Sequence, residues 1–224
     1  MTDVDPARKR RARAIAKVLA GLYPDSRTAL VHASPYQLLV GVVLAAQCTD
    51  VRVNTVTPRL FARYPTPADL AVAVPAELEE IVRPAGFFRN KAKNLIAAAQ
   101  AIVAEHDGDV PADLAALVKL PGVGRKTAHC VLGSGFSIPS GVVVDTHVLR
   151  LSRRMGLTDS DDPVRIEHEL NAMLPKTEWI AFSHRIIDHG RAVCVARRPR
   201  CEICPVAKLC PKVGVAADGR PIRE

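Results

Sequence analysis

Leu120-Pro121-Gly122-Val123-Gly124-Arg125-Lys126-Thr127-Ala128 joins two predicted helices, and the reading of this stretch decides the fold. Two glycines one residue apart allow a tight hairpin and leave backbone N–H groups uncovered at the start of the next helix. Such a turn accepts an anion. A DNA backbone phosphate suits it, because contacts of this kind place a protein on a duplex without reading its sequence. Gly122, Gly124 and Arg125 are therefore candidate DNA-binding residues, although a bare Gly-x-Gly turn is often only a connector, and the Gly-Arg-Lys-Thr string lacks the spacing of a nucleotide-binding P-loop. Lys126 sharpens the reading. It falls in the first turn of its helix, where the helix dipole and neighbouring Arg125 both disfavour the ammonium form, and a lysine so depressed is a nucleophile.

Outward from the hairpin the chain is punctuated by helix starts and stops. Ser34-Pro35-Tyr36-Gln37 and Thr66-Pro67-Ala68-Asp69 are capping sequences with proline at the first helical position. A helix begins at Pro75 and stops at Pro84-Ala85-Gly86, and another runs from Asn90 to His106 before Asp107-Gly108. The periodicity predicts further helices over 6–22, 111–119, 125–134, 146–155, 163–173 and 177–190. The fold class is all-α. The only strand-like run, Val142-Val143-Val144, is too short to found a sheet and reads as an extended connector.

Asp145 follows that run in Val144-Asp145-Thr146-His147, at the start of a predicted helix. An aspartate there caps the helix by accepting its first N–H groups. A carboxylate held in this way stays ionised and rigid, which also suits it to stabilise a cationic sugar transition state or to help deprotonate a nucleophile.

Cys194, Cys201, Cys204 and Cys210 are spaced C-x6-C-x2-C-x5-C. Four thiols in so short and polar a loop imply a metal centre. Zinc is usually held by two C-x2–4-C knuckles, and only one close pair occurs here, so a [4Fe–4S] cluster is preferred with zinc as the second reading. Arg197, Arg198, Arg200 and Lys208 lie between the ligands, so the loop that wraps the metal also presents positive charge to phosphates. Cys48 and Cys130 sit on apolar helical runs and read as small core residues.

The 224 residues contain 31 Lys and Arg against 23 Asp and Glu, a net charge of +8, with 48% hydrophobic and 24% charged residues. This composition belongs to a globular chain of one medium or two small domains and excludes disordered and collagen-like classes. The longest uncharged apolar run, 38–46, is far short of the ~20 residues of a membrane span. No signal peptide is visible, and six cysteines without secretion read as thiols or ligands in a cytosolic protein, held at the nucleoid if the cell is bacterial. The positive charge lies at the ends: residues 1–27 carry seven basic and three acidic side chains, and 185–212 carry seven and two. A neutral body with two basic ends suggests a polyanion partner and a discontinuous second domain.

Together, LPGVGRKTA, VVVDTH and the four-cysteine loop resemble the endonuclease III family of base-excision-repair DNA glycosylases. AAQCTD (45–50), GFFRNKA (86–92) and HGR (189–191) add to the resemblance, which covers about residues 29–210. It implies a six-helix barrel domain with a helix-hairpin-helix motif near 28–139. It also implies an iron–sulfur cluster domain made of 1–27 and 140–224, with DNA bound in the groove between the two. Lys126 matches the family's Schiff-base lysine, Asp145 its catalytic aspartate, and Cys194, Cys201, Cys204 and Cys210 its cluster ligands. Gln47, Phe87 and His147 match positions that fill the gap left by a flipped-out nucleotide. The family often has an aliphatic residue where Phe87 stands, and by composition alone Phe87 and Phe88 would be assigned to the core.

The function expected is that of a bifunctional DNA glycosylase and abasic-site lyase. It would excise oxidised pyrimidines from duplex DNA and cut 3′ to the abasic site by β-elimination. Its partner would be double-stranded DNA containing damaged pyrimidines or abasic sites, with no membrane association and a monomeric state. One rival is a monofunctional glycosylase of the same superfamily, whose members typically lack the lysine. Another is a non-enzymatic DNA-binding protein with a zinc-stabilised loop.

Overall fold

Paired cap and proline residues set most of the helix starts. In the computed structural model, which describes residues 5–216 and Ile222, Asp5 caps α1 (Pro6–Leu22), Ser34 caps α2 (Pro35–Leu44), Thr66 caps α4 (Pro67–Ala71) and Asp162 caps α10 (Pro163–Met173). Each is followed by proline, whose fixed φ and missing N–H suit the first helical position. At Thr66 the box is reciprocal, with the Asp69 carboxylate accepting from the Thr66 backbone.

The chain divides into two units, 28–138 and 1–27 with 139–224. Residues 1–4, 217–221 and 223–224 lie outside the described residues, so the ends of the expected cluster domain are not described. The first unit holds α2, α3 (Asp50–Arg63), α4, α5 (Pro75–Val82), α6 (Phe88–Glu105), α7 (Leu114–Leu117) and α8 (Arg125–Cys130). Their apolar faces enclose a core that includes Leu38, Leu44, Leu60, Leu78, Leu95, Ile102 and Leu132. The second unit packs α1, α9 (Thr146–Arg154), α10 and α11 (Trp179–Ala192) around a separate core of Ile15, Leu19, Leu151, Leu170, Phe182 and Ile186.

Three elements differ from expectation. Helix α3 is not predicted because Pro58 lies inside it, yet Val53, Val56, Thr57 and Leu60 form a buried stripe that holds the helix. The helix expected over 111–119 contracts to the single turn α7, capped by Asp113. The one expected over 125–134 is α-helical only to Cys130 and continues as a π-helical turn, Val131–Gly135. The valine run forms no strand. Instead the Val142 N–H donates to Asn171 Oδ1 at 2.9 Å and the Val143 N–H to Ser183 Oγ at 2.9 Å, so side chains satisfy the connector's backbone. Among the described residues no helix is long and apolar enough to cross a membrane.

Candidate functional site

The hairpin between α7 and α8 is built as its sequence demands. The Val123 N–H donates to the Leu120 carbonyl at 3.0 Å, with Pro121 and Gly122 between them and Gly122 at φ +76°, the arrangement of a type II turn. Leu120 and Val123 are buried anchors. A β-carbon at Gly122 would stand 2.8 Å from Cβ of Asn94, so the turn seats directly on α6. Gly124 is the N-cap of α8, offers no side-chain cap, and has nothing within 4 Å of the side chain it lacks. The first-turn N–H groups therefore meet an open approach. Lys126 is exposed in that first turn. One turn on, burial pushes the Cys130 thiol up to about 11, with the Lys126 charge opposing the shift and Asp50 adding to it.

Gln47 and Phe87, expected to act together, share an unusual backbone. Gln47 has φ 55° and Phe87 φ 49°, left-handed conformations that cost a non-glycine residue about 1–3 kcal/mol and persist only where the surroundings impose them. Both side chains are exposed, Phe87 by 67%. The reading of Phe87 as core is thus corrected, whereas Phe88 packs partly buried against the first core. The guanidinium carbons of Arg83 and Arg89 lie 4.8 and 5.6 Å from the centroid of the Phe88 ring. The turns at Gln47 and Phe87 follow two carbonyls, of Leu44 and Ala85, that both accept from Nζ of Lys91 at 2.8 Å. Lys91 is only 6% exposed, and burial lowers its pKa. Sequence reasoning missed it, since a lysine on a helix ordinarily reads as a solvated charge.

In the other unit, Oδ1 of Asp145 accepts from the N–H groups of His147 and Val148, both at 2.8 Å. Oδ2 makes no hydrogen bond among the described residues. The cap is as expected, and it leaves one carboxylate oxygen for other chemistry. His147 accepts at Nδ1 from Arg150 at 3.2 Å. The HGR stretch gains a physical meaning here: Gly190 admits the His147 ring against α11, and His189 approaches Cys204 Sγ through Nε2 at 3.5 Å while its Nδ1 lies 3.2 Å from the Tyr23 hydroxyl.

Cys194, Cys201, Cys204 and Cys210 line one cavity together with Met155 and Val206. Four thiols around this shared void fit a multi-iron group. Burial first, then the neighbouring cysteines, raises the Cys204 and Cys210 thiols, so ionising these two calls for positive charge beside them. Arg154 braces the loop. Its guanidinium donates to the Val195 and Ala196 carbonyls at 2.9 and 2.6 Å and reaches Cys194 Sγ at 3.6 Å, and its own carbonyl accepts from the Cys210 thiol at 3.2 Å. Arg197 and Arg198 stand exposed on this loop, without a hydrogen bond or ion pair among the described residues.

Two family descriptions match this chain: "HhH-GPD superfamily base excision DNA repair protein" over residues 40–176, and "Iron-sulfur binding domain of endonuclease III" over 194–210. Endonuclease III of Synechocystis is 52% identical over 205 residues, covering 92% of this chain and 94% of the relative. The chain belongs to the endonuclease III family. The Escherichia coli K12 endonuclease III is 37% identical, covering 84% of this chain and 88% of its own. A solved trapped endonuclease III–DNA covalent intermediate superposes with a TM-score of 0.86 at 43% identity, covering 91% of this chain and 96% of that one. The all-α fold with a helix-hairpin-helix and a cysteine loop is the family's. As an endonuclease III, the chain is a DNA glycosylase and abasic-site lyase of base excision repair with a [4Fe–4S] cluster. This sets aside both the monofunctional and the zinc-loop readings.

Proposed function

We propose that this endonuclease III excises oxidised pyrimidines from double-stranded DNA as a monomer, working on the chromosome in the cytoplasm, with Lys126 as nucleophile and Asp145 as its carboxylate partner. The Nζ of Lys126 attacks C1′ of the flipped nucleotide and the glycosidic bond breaks with its electron pair leaving on the base, which takes up a proton. The nitrogen then loses a proton, and its lone pair forms the C=N bond as the ring C1′–O4′ bond breaks with its electrons on O4′, which is protonated, giving the imine in its protonated form. Removal of a C2′ proton then expels the 3′ phosphate by β-elimination. Asp145 supports this chemistry because one of its oxygens is fixed by two backbone N–H groups while the other makes no hydrogen bond among the described residues.

DNA binding rests on the residues around the chemistry. The hairpin of Gly122, Gly124 and Arg125 offers its N–H groups to a backbone phosphate. Arg197 and Arg198 present free guanidiniums to others. Gln47, Phe87 and His147 fill the gap left by the extruded nucleotide. Cys194, Cys201, Cys204 and Cys210 would hold the cluster, which would supply positive charge to their thiolates and link the two ends of the arginine-bearing loop.

The observation that carries the reading is the placement of Lys126: exposed, in the first turn of α8, two residues after the N-cap Gly124, which has open space where a side chain would stand. Single-turnover excision from otherwise identical duplexes tests the lesion class. Release of an oxidised pyrimidine with strand cleavage, and none from undamaged pyrimidine, is expected. Preferential release of a mispaired purine would contradict it.

A further inference from the structure

Lys91 lies in the first turns of α6, and neither its burial nor its hydrogen bonds serve the chemistry at Lys126. At the end of α2 the chain leaves the helix: the Ala46 N–H bonds to the Val43 carbonyl and the Cys48 N–H to the Ala45 carbonyl. The Leu44 carbonyl, which the Cys48 N–H would have met in a continuing helix, is bypassed. After the 3-10 turn Arg83–Ala85, the Gly86 N–H bonds to the Arg83 carbonyl and the chain reverses through Gly86 and Phe87, so the Ala85 carbonyl is likewise left over. The ammonium of Lys91 donates to both carbonyls at 2.8 Å. A buried carbonyl without a partner is costly, and the ammonium, with three N–H donors, satisfies both at once.

The two carbonyls have different neighbours along the chain but one thing in common. Leu44 lies three residues before Gln47 and Ala85 two before Phe87, and these two residues are the exposed ones held at φ 55° and 49°. Left-handed backbone at a glutamine and a phenylalanine relaxes unless its flanks are fixed. From this we infer that Lys91 is a positioning residue for base extrusion: one buried ammonium ties together the two turns that carry Gln47 and Phe87 and so sets the spacing at which they enter the duplex. The inference rests on the proposed gap-filling role of those two residues. Lys91 touches neither substrate nor the reacting atoms.

The test compares wild type, Lys91→Met, Gln47→Ala/Phe87→Ala and the triple variant on two substrates: a duplex with a stably paired oxidised pyrimidine, and an abasic-site duplex. Extrusion is followed by a fluorescent base analogue beside the lesion, and lyase action by borohydride trapping. Misplacement of groups that enter the stack is expected to slow extrusion by about tenfold in Lys91→Met, with trapping on abasic DNA within about twofold of wild type. In the Gln47→Ala/Phe87→Ala background, Lys91→Met is expected to slow extrusion no further, because the groups it positions are gone. A full additional tenfold loss there, or equal losses on both substrates, would overturn the proposal. If Lys91→Met does not fold, Lys91→Gln, whose amide nitrogen is one bond shorter and cannot hold both carbonyls at their native spacing, goes through the same comparison and must show the same substrate split. Normal extrusion by Gln47→Ala/Phe87→Ala would refute the gap-filling assignment itself, whereas impaired extrusion there with normal Lys91→Met refutes only the role of Lys91.

Discussion

A β-carbon added to Gly190 would lie 2.7 Å from Nδ1 of His147, and 3.2 Å from Nη2 of Arg150. The glycine of HGR thus exists so that the His147 ring can rest against α11. Gly190→Ala must push the ring and Arg150 aside, and overpacking of this kind costs about 1–3 kcal/mol. The expected result is a lower thermal midpoint together with slower handling of paired lesions, and Gly190→Ala with His147→Ala should be no slower on those lesions than His147→Ala alone.

Phe87→Ala is expected to impair release of a stably paired lesion while largely sparing cleavage of an abasic site, whose nucleotide has no base to unstack. Parallel kinetics on the two duplexes make the measurement. Equal loss on both would instead assign Phe87 a packing role, which its exposure argues against.

Arg197 and Arg198 face solvent from the cysteine loop. Replacing both with alanine should flatten the slope of log K against log salt for undamaged duplex by up to ~2, since each phosphate contact releases about one counterion. An unchanged slope would mean that these two charges do not meet DNA.

Purified protein should contain iron and sulfide at about four each per chain, as a [4Fe–4S] cluster requires. Cys201→Ser should loosen the loop and weaken DNA binding before it affects chemistry. Elemental analysis, the visible absorption of the cluster and binding titrations check this, and stoichiometric zinc without iron would contradict it.

Much of the fold is legible because short-range chemistry specifies it. Asp162-Pro163 marks the start of α10 and Ser34-Pro35 that of α2, as cap and proline act within one turn. Helix α3 is not legible, because Pro58 is a local signal against helix while the burial of Val53, Val56 and Leu60 that outweighs it is supplied by other helices. The same division holds at the site. The hairpin glycines, the Asp145 cap and the cysteine spacing are local and readable. Lys91 and Arg154 are not, since the carbonyls that make their burial tolerable come from segments up to 47 residues away. Phe87 lies between these cases: its aromatic side chain argues for the core, and only resemblance to a family assigns it to the surface.

The central claim is that Lys126 is the nucleophile and Asp145 its helper, and the two should fail differently. Asp145→Asn preserves an acceptor for the His147 and Val148 N–H groups but removes the charge, so base removal should slow by ~10²-fold or more, with some lyase action left on preformed abasic sites. The most direct measurement is borohydride trapping of Lys126→Ala on abasic-site duplex beside the wild type. The account predicts no covalent adduct and no strand cleavage, with DNA binding intact. An adduct formed at the wild-type rate would place the nucleophile elsewhere and contradict it.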